Sequence, residues 1–122
     1  MKKSHAAVFA VATVVFALAG CSAAAKPIEW VAGTAIVDVR TPSEFADGHL
    51  AGAINVDFRA TTFDVAIANL PIDGEYVIYC ASGNRSASAH ARMTERGFGT
   101  VTDAHGMSDA AASTGLAIVT TP

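Results

Sequence analysis

One cysteine of the chain stands where it could act as a nucleophile. Cys80 directly follows the apolar run Tyr76–Tyr79 and opens a glycine-containing loop, Cys80–Arg85, which leads into an alanine-rich stretch typical of a helix. A strand that passes through such a loop into a helix leaves several backbone N–H groups unpaired and directed into one small bowl. Those donors and the positive end of the helix dipole favour thiolate over thiol, so we expect a lowered pKa for Cys80.

The residues around Cys80 indicate how an anion would be held. Arg85 is expected to add a full positive charge, and Gly83 lets the chain turn tightly without a side chain in the bowl. The alternative is a cysteine buried in the core, against which the polar neighbours argue. We predict Cys80 and Arg85 as catalytic residues. The predicted substrate-binding residues are Ala81, Ser82, Gly83, Asn84 and Ser86.

The elements that must position this loop alternate between strands and helices. Extended segments are predicted at 35–39, 53–56, 75–79, 100–102 and 116–119. Helices are predicted from Thr41 or Ser43 to Asp47, over 63–70, from Arg85 or Ser86 to Arg96, and over 107–114. This order predicts an α/β fold with a mostly parallel central sheet flanked by helices. In such sheets ligands bind beyond the carboxyl ends of the strands, where the loop places Cys80.

The N-terminus has the pattern of a signal peptide. A short basic segment precedes the uncharged apolar run Ala6–Ala19, which is shorter than a comfortable membrane span. The run closes on Leu18–Cys21, which resembles the bacterial lipobox, in which the cysteine is lipidated. We predict a signal peptide over 1–20, a lipidated tether over 21–27 and a folded domain over 28–120, outside the cytoplasm on a bacterial cell membrane. An ordinary secretory signal is the alternative.

Composition restricts the partners of this chain. Its 122 residues are about half apolar and form one domain at most. Without Lys2 and Lys3, six Lys and Arg stand against eleven Asp and Glu, so the formal charge falls from −3 to −5 and disfavours nucleic acid. With Cys21 acylated, Cys80 is the remaining thiol and has no partner for an internal disulfide. The four His and two Cys show no metal-ligand spacing, so neither a metal nor a cofactor is predicted.

Several segments in combination resemble the rhodanese-like family. They are Asp38-Val39-Arg40 with Pro42–Phe45, Gly48–Asn55, Val77–Cys80 with Gly83 and Arg85, and Gly106-Met107 with Gly115-Leu116. The resemblance implies a single-domain, three-layer rhodanese-like fold in which Cys80 carries sulfur as a persulfide. The sulfur would pass from a donor such as thiosulfate to a nucleophilic acceptor such as a thiol or cyanide. The Cys80–Arg85 spacing is one residue shorter than in protein tyrosine phosphatases, which favours sulfane sulfur over a phosphate monoester.

Mostly structural roles are favoured for the other polar residues near the motifs. Asp38 and Arg40 are supporting residues, for which a structural ion pair is favoured over a catalytic role. His49 is expected to make a backbone hydrogen bond at a turn, and His90 to lie on a solvated helix face. Arg59 resembles a position that lies near the pocket in some relatives of the family.

The chain departs from the family pattern before and within its last helix. Where many relatives carry Gly-Gly, this chain has His105-Gly106, and a Trp expected in the following helix is missing. Trp30 or Phe98 is a candidate to fill the space. Two non-sulfurtransferase functions stay open: a non-catalytic binding module that engages an unknown partner protein, and a thiol-redox protein whose second thiol comes from a partner.

Overall fold

The computed structural model describes residues 25–120; the predicted signal peptide, Cys21 and the first part of the tether lie outside them. The strands are β1 (Ala35–Asp38), β2 (His49–Leu50), β3 (Ile54–Asn55), β4 (Glu75–Cys80), β5 (Thr100–Gly106) and β6 (Ile118–Val119). The helices are α1 (Pro42–Asp47), α2 (Phe63–Ala68), α3 (Asn84–Glu95) and α4 (Met107–Thr114). None of these helices is both long and apolar enough to cross a membrane.

The centre of the fold is a four-stranded parallel sheet. Its strand order is β3-β1-β4-β5, and each neighbouring pair is parallel. The central strand β4 is buried from Tyr76 to Cys80, as its continuous apolar run predicts. Two further short strands, β2 and β6, pair in antiparallel fashion and bring the end of the chain back beside α1. The predicted α/β fold with a mostly parallel central sheet is therefore confirmed.

Side chains alternate between the two faces of the sheet and build a core on each. On one face, residues of β1 and β4, among them Ile78 and Cys80, pack with residues of α2 and α3 such as Ile67 and Met93. On the other face, Tyr79 packs with Leu50 of β2 and with residues of β5 and α4, among them Ala110. The sheet thus lies between two covering layers, α2 and α3 on one side and α4 with β2 on the other.

The space left by the missing aromatic residue of α4 is filled differently from the prediction. Trp30 is 41% exposed, and Phe98 packs edge-to-face on Tyr76 in the core beneath α2 and α3, on the opposite face from α4. Small side chains, Ala104 and Ala110, let α4 approach the sheet closely, and partly buried apolar residues complete the packing. Neither predicted aromatic residue therefore replaces the missing one.

Helix α1 is short, and its sequence fixes where it begins. Thr41 is the N-cap: its hydroxyl accepts a hydrogen bond from the Glu44 N–H, and the Glu44 carboxylate accepts one from the Thr41 N–H. Pro42 occupies the first turn, where a missing N–H costs nothing. This capping box selects Thr41 rather than Ser43 as the cap and holds the Glu44 carboxylate in one place.

Candidate active site

Cys80 is the last residue of β4, and the loop that follows it encloses the sulfur. The Gly83 N–H donates to Cys80 Sγ at 2.9 Å, and Ser86 Oγ lies 3.5 Å from the same atom. Gly83 has a φ of 101°, a conformation that favours glycine, and caps the N-terminus of α3. The loop therefore surrounds one sulfur atom with donors, as the sequence predicts, but Cys80 has 0% of its surface exposed.

The surroundings of the sulfur act on its pKa in opposite directions. Burial raises the pKa of the Cys80 thiol, whereas hydrogen bonds from the Ser86 side chain and from the backbone of Ser86, Gly83 and Ser82 lower it. The hydrogen bonds outweigh the burial, so the pKa lies below its ordinary value of 9.0. This direction agrees with the predicted lowering of the pKa; the hydrogen bonds of the loop cause it, and Arg85 also interacts electrostatically with Cys80.

Ser86 connects the sulfur to the last strand of the sheet. This residue is fully buried in the first turn of α3, and its hydroxyl lies 3.1 Å from the Gly83 carbonyl oxygen and 3.3 Å from that of His105. When Cys80 is a thiol, the hydroxyl donates to a carbonyl; when Cys80 is a thiolate, the hydroxyl is free to turn toward the sulfur. Ser86 therefore links the sulfur, the loop and β5, whereas Gly83 caps the helix.

Replacing Ser86 with alanine is expected to raise the pKa of Cys80 and to slow alkylation of the thiol about tenfold at neutral pH. The physical reason is the loss of one hydrogen bond to a charged group, worth about 1.5 kcal/mol. The rate of iodoacetamide reaction, measured against pH, reports the titration midpoint, with Ser88→Ala on the exposed part of α3 as control. An unchanged midpoint in Ser86→Ala would contradict the assigned role.

The end of β5 closes the loop from the side. Gly106 pairs with Cys80 and forms a β-bridge with Ser82. Its neighbour His105 has a φ of 66°, a left-handed conformation that costs a side-chain-bearing residue free energy. In this chain, therefore, a histidine stands at a left-handed position, and the glycine after it lies against the backbone of the loop that follows Cys80.

Arg85 forms an ion pair with Glu44 of α1. Its Nη1 and Nη2 atoms donate to the two carboxylate oxygens of Glu44 at 2.7 and 3.0 Å, which makes a bidentate ion pair. The hydrogen bond from Arg85 lowers the pKa of Glu44 to about 2, and the same bond raises the pKa of Arg85. Arg85 therefore keeps the positive charge that the sequence predicts, and Glu44 pairs with that charge beside the sulfur.

Asp38 and Arg40 form a buried ion pair behind the loop. Arg40 Nη2 and Nε lie 2.7 and 3.1 Å from Asp38 Oδ2, and Nη2 also donates to the Gly48 carbonyl oxygen. Asp38 is fully buried and Arg40 nearly so, with its guanidinium 5.9 Å from the ring centre of Tyr79. This geometry agrees with the structural interpretation of the pair, because it braces the end of β1 against the α1–β2 junction.

Replacing Asp38 with alanine is expected to lower the free energy of unfolding by about 3 kcal/mol, because it leaves a buried guanidinium without its partner. Urea denaturation followed by circular dichroism measures the change. The matched control is Asp64→Ala, which breaks the half-exposed pairs with Arg92 and Arg96 and is expected to cost about 1 kcal/mol or less. Equal losses in the two variants would contradict the structural role of Asp38.

The other residues singled out in the sequence lie at the rim of the loop or on other parts of the fold. Ala81, Ser82 and Asn84 are exposed at its rim, and Arg59 is exposed in the segment after β3. His49 bonds the Phe45 carbonyl oxygen through Nδ1 at 2.8 Å, as predicted. His90 is half-buried and bonds the Val101 carbonyl oxygen, so its placement on a solvated face is wrong.

The described part of the chain has no cluster of metal-ligating side chains, and one cleft on its surface is separate from the sulfur. Residues 25–120 contain no group of three or more His, Cys, Asp or Glu that could hold a metal ion. A cleft of about 480 Å³ between residues 25–28 and the β5–α4 junction has His105 in its lining but not Cys80.

The described part of the chain is an α/β domain with a cysteine at the carboxyl end of a central parallel strand, inside a loop of backbone donors. Sequence comparison gives the family. The profile of the rhodanese-like domain matches residues 22–111, so the chain belongs to the rhodanese-like family.

Its relatives include sulfurtransferases. A sulfurtransferase of Allochromatium vinosum is 37% identical over 84 residues, which cover 69% of this chain and 77% of the relative. The thiosulfate sulfurtransferase GlpE of Pseudomonas aeruginosa is 38% identical over 69 residues, which cover 57% of this chain and 61% of GlpE. The chain thus spans less than two thirds of the length of GlpE.

Solved structures support the same fold. The match to a structure of a rhodanese from E. coli with anions has a TM-score of 0.55 and 29% identity. It covers 62% of this chain and 89% of the E. coli chain. A rhodanese-related protein from Thermoplasma volcanium has a TM-score of 0.61 and 28% identity, with coverage of 73% and 86%. The resemblance inferred from the motifs is confirmed.

Proposed function

We propose that the protein is a sulfurtransferase that moves sulfane sulfur from a donor such as thiosulfate to a thiophilic acceptor through a persulfide on Cys80. The observation that carries the proposal is the hydrogen bonding of Cys80 Sγ by the loop, at 2.9 Å from the Gly83 nitrogen. A thiolate held there is nucleophilic near neutral pH. The relatives named as sulfurtransferases support the same reaction.

The reaction consists of two displacements at sulfur. The Cys80 thiolate attacks the outer sulfur of thiosulfate; the new Sγ–S bond forms, the S–S bond of the donor breaks, and sulfite leaves with the electron pair. The persulfide keeps one negative charge, which the loop N–H groups stabilise as they stabilised the thiolate. A nucleophile such as cyanide or a thiolate then takes the outer sulfur and restores the Cys80 thiolate. No external oxidant or reductant is consumed in either step.

The experiment is intact-protein mass spectrometry of the domain from Lys26 onward, before and after thiosulfate or polysulfide, with cyanide added last. We expect a gain of one sulfur atom, roughly 32 Da, on the reduced wild type and its loss on adding cyanide. Cys80→Ala, treated in parallel, is expected to show no gain. A wild-type protein that gains no sulfur from either donor would contradict the proposal.

A non-catalytic binding module is the second candidate. Complete burial of Cys80, together with pairing of Arg85 by Glu44, is the observation that favours it, because a donor must displace part of the rim to reach the sulfur. In that case the loop residues would have a structural role only, and Cys80→Ser would leave partner binding intact. The mass measurement separates the two functions, since a pure binding module forms no persulfide.

We also propose that Cys21 is lipidated and holds the domain on the outer side of a bacterial membrane. The proposal rests on the sequence before residue 25. Expression of the full chain with Cys21→Ala, followed by membrane fractionation and metabolic lipid labelling, tests it. Release of the variant into the soluble fraction supports the anchor, whereas a variant that stays membrane-bound and labelled contradicts it.

A further inference from the structure

Glu44 is held in a single position from two sides. Its carboxylate accepts hydrogen bonds from the Thr41 N–H at 2.9 Å and from both terminal nitrogens of Arg85. The Arg85 side chain is 14% exposed and that of Glu44 36%, so the pair is partly shielded from water. Nη1 and Nη2 of Arg85 therefore both donate to Glu44, and the bidentate edge between them already binds a carboxylate.

Arg85 and Arg40, the two arginines near the sulfur, both have acidic partners. Arg85 is neutralised by Glu44, and the buried Arg40 behind the loop is neutralised by Asp38. Arg85 still acts on Cys80 electrostatically, but the hydrogen bonds to the sulfur come from Gly83, Ser82 and Ser86, which already hold one negative charge when the thiolate forms. Each further negative charge on a donor repels that thiolate without a matching cation.

We propose that Glu44, by pairing with Arg85, makes the site select sulfane donors that carry one negative charge, such as thiosulfonates and organic persulfides, over the thiosulfate dianion. The inference rests on the proposed sulfurtransferase function and specifies its donor class. For a thiosulfonate, the Cys80 thiolate attacks the outer sulfur, the Sγ–S bond forms, the sulfur–sulfonyl bond breaks, and a sulfinate leaves with the electron pair. The total charge of two negative units is the same before and after this step.

Methanethiosulfonate and thiosulfate are a matched pair of donors for the test. They differ by a methyl group in place of one charged oxygen, so the ratio of their kcat/KM values with cyanide as acceptor measures charge selectivity. We expect the wild type to prefer methanethiosulfonate after each rate is divided by the uncatalysed rate of the same donor. In Glu44→Gln, Arg85 regains its free charge, and the relative kcat/KM for thiosulfate is expected to rise about tenfold.

The matched control is Glu95→Gln, which removes the same charge at the exposed end of α3 and is expected to leave the ratio unchanged. Thermal melting checks that Glu44→Gln is folded, and the wild-type ratio tests the proposal without any variant. A wild type that prefers thiosulfate overturns the inference, and so does a folded Glu44→Gln that changes both donors by the same factor. Those outcomes differ from failure of the proposed function, in which Cys80 gains no sulfur from either donor.

Discussion

Replacing Cys80 with serine is expected to abolish sulfur transfer, with a loss of about a thousandfold or more in kcat. The hydroxyl has nearly the shape of the thiol, and the Gly83 N–H that now donates to Sγ would find an oxygen in its place. A serine hydroxyl does not ionise near neutral pH, however, and it forms no persulfide. The change therefore removes the chemistry while it leaves the loop in position.

The measurement is thiocyanate formation from thiosulfate or methanethiosulfonate and cyanide, with the melting temperature as a check on folding. A Cys80→Ser protein that melts within a few degrees of wild type and forms no thiocyanate meets the expectation. Turnover retained by this variant would show that another group carries the sulfur, and the mechanism through Cys80 would then be wrong.

Replacing Gly106 with alanine is expected to lower sulfur transfer about a hundredfold and the free energy of unfolding by roughly 1–3 kcal/mol. A methyl group at this position would lie 2.7 Å from the Ala81 carbonyl oxygen and 3.4 Å from the Ser82 Cα atom. Both are backbone atoms of the catalytic loop, so no side-chain rotation relieves the contact. The loop must shift, and its N–H groups then lose their alignment on the sulfur.

Gly99 provides the matched control for this substitution. A methyl group there would meet nothing within 4 Å, and Gly99 lies just before the same strand, β5. We expect Gly99→Ala to keep wild-type activity and stability. The pKa of Cys80, measured by thiolate absorbance, is expected to rise in Gly106→Ala alone. A Gly106→Ala protein with normal activity would show that β5 does not hold the loop in its active form.

The parts of the fold that sequence predicts well are those with local signals. The apolar run of β4, the start of α1 at Thr41 or Ser43 and the helix over 107–114 each depend on a few neighbouring residues, and the structure has all three elements at these places. The position of Cys80 at the strand end follows from the same local pattern. The family motifs also predict the parallel sheet, because their order along the chain is the one expected for the rhodanese-like fold.

The features that sequence reasoning missed depend on long-range contacts. Arg85 and Glu44 lie 41 positions apart, and no periodic pattern connects them, although Glu44 belongs to a recognised motif segment. The pairing of β2 with β6 involves two residues on each strand, too few for an alternating pattern. Strand β5 extends through the polar residues Asp103 and His105 to Gly106, because pairing with β4 and Ser82 outweighs their low strand propensity.

The order of the strands has a consequence for folding. Ala35 of β1 pairs with Tyr76 of β4, and Glu75 of β4 pairs with Thr100 of β5, so the central strand draws its partners from distant parts of the chain. Parallel pairings of this kind form late and slowly. Until β5 joins the sheet, Gly106 does not cover the loop that follows Cys80, and the thiol is more open to disulfides and peroxides in the surroundings. We therefore expect a reductant during refolding to increase the yield of native protein.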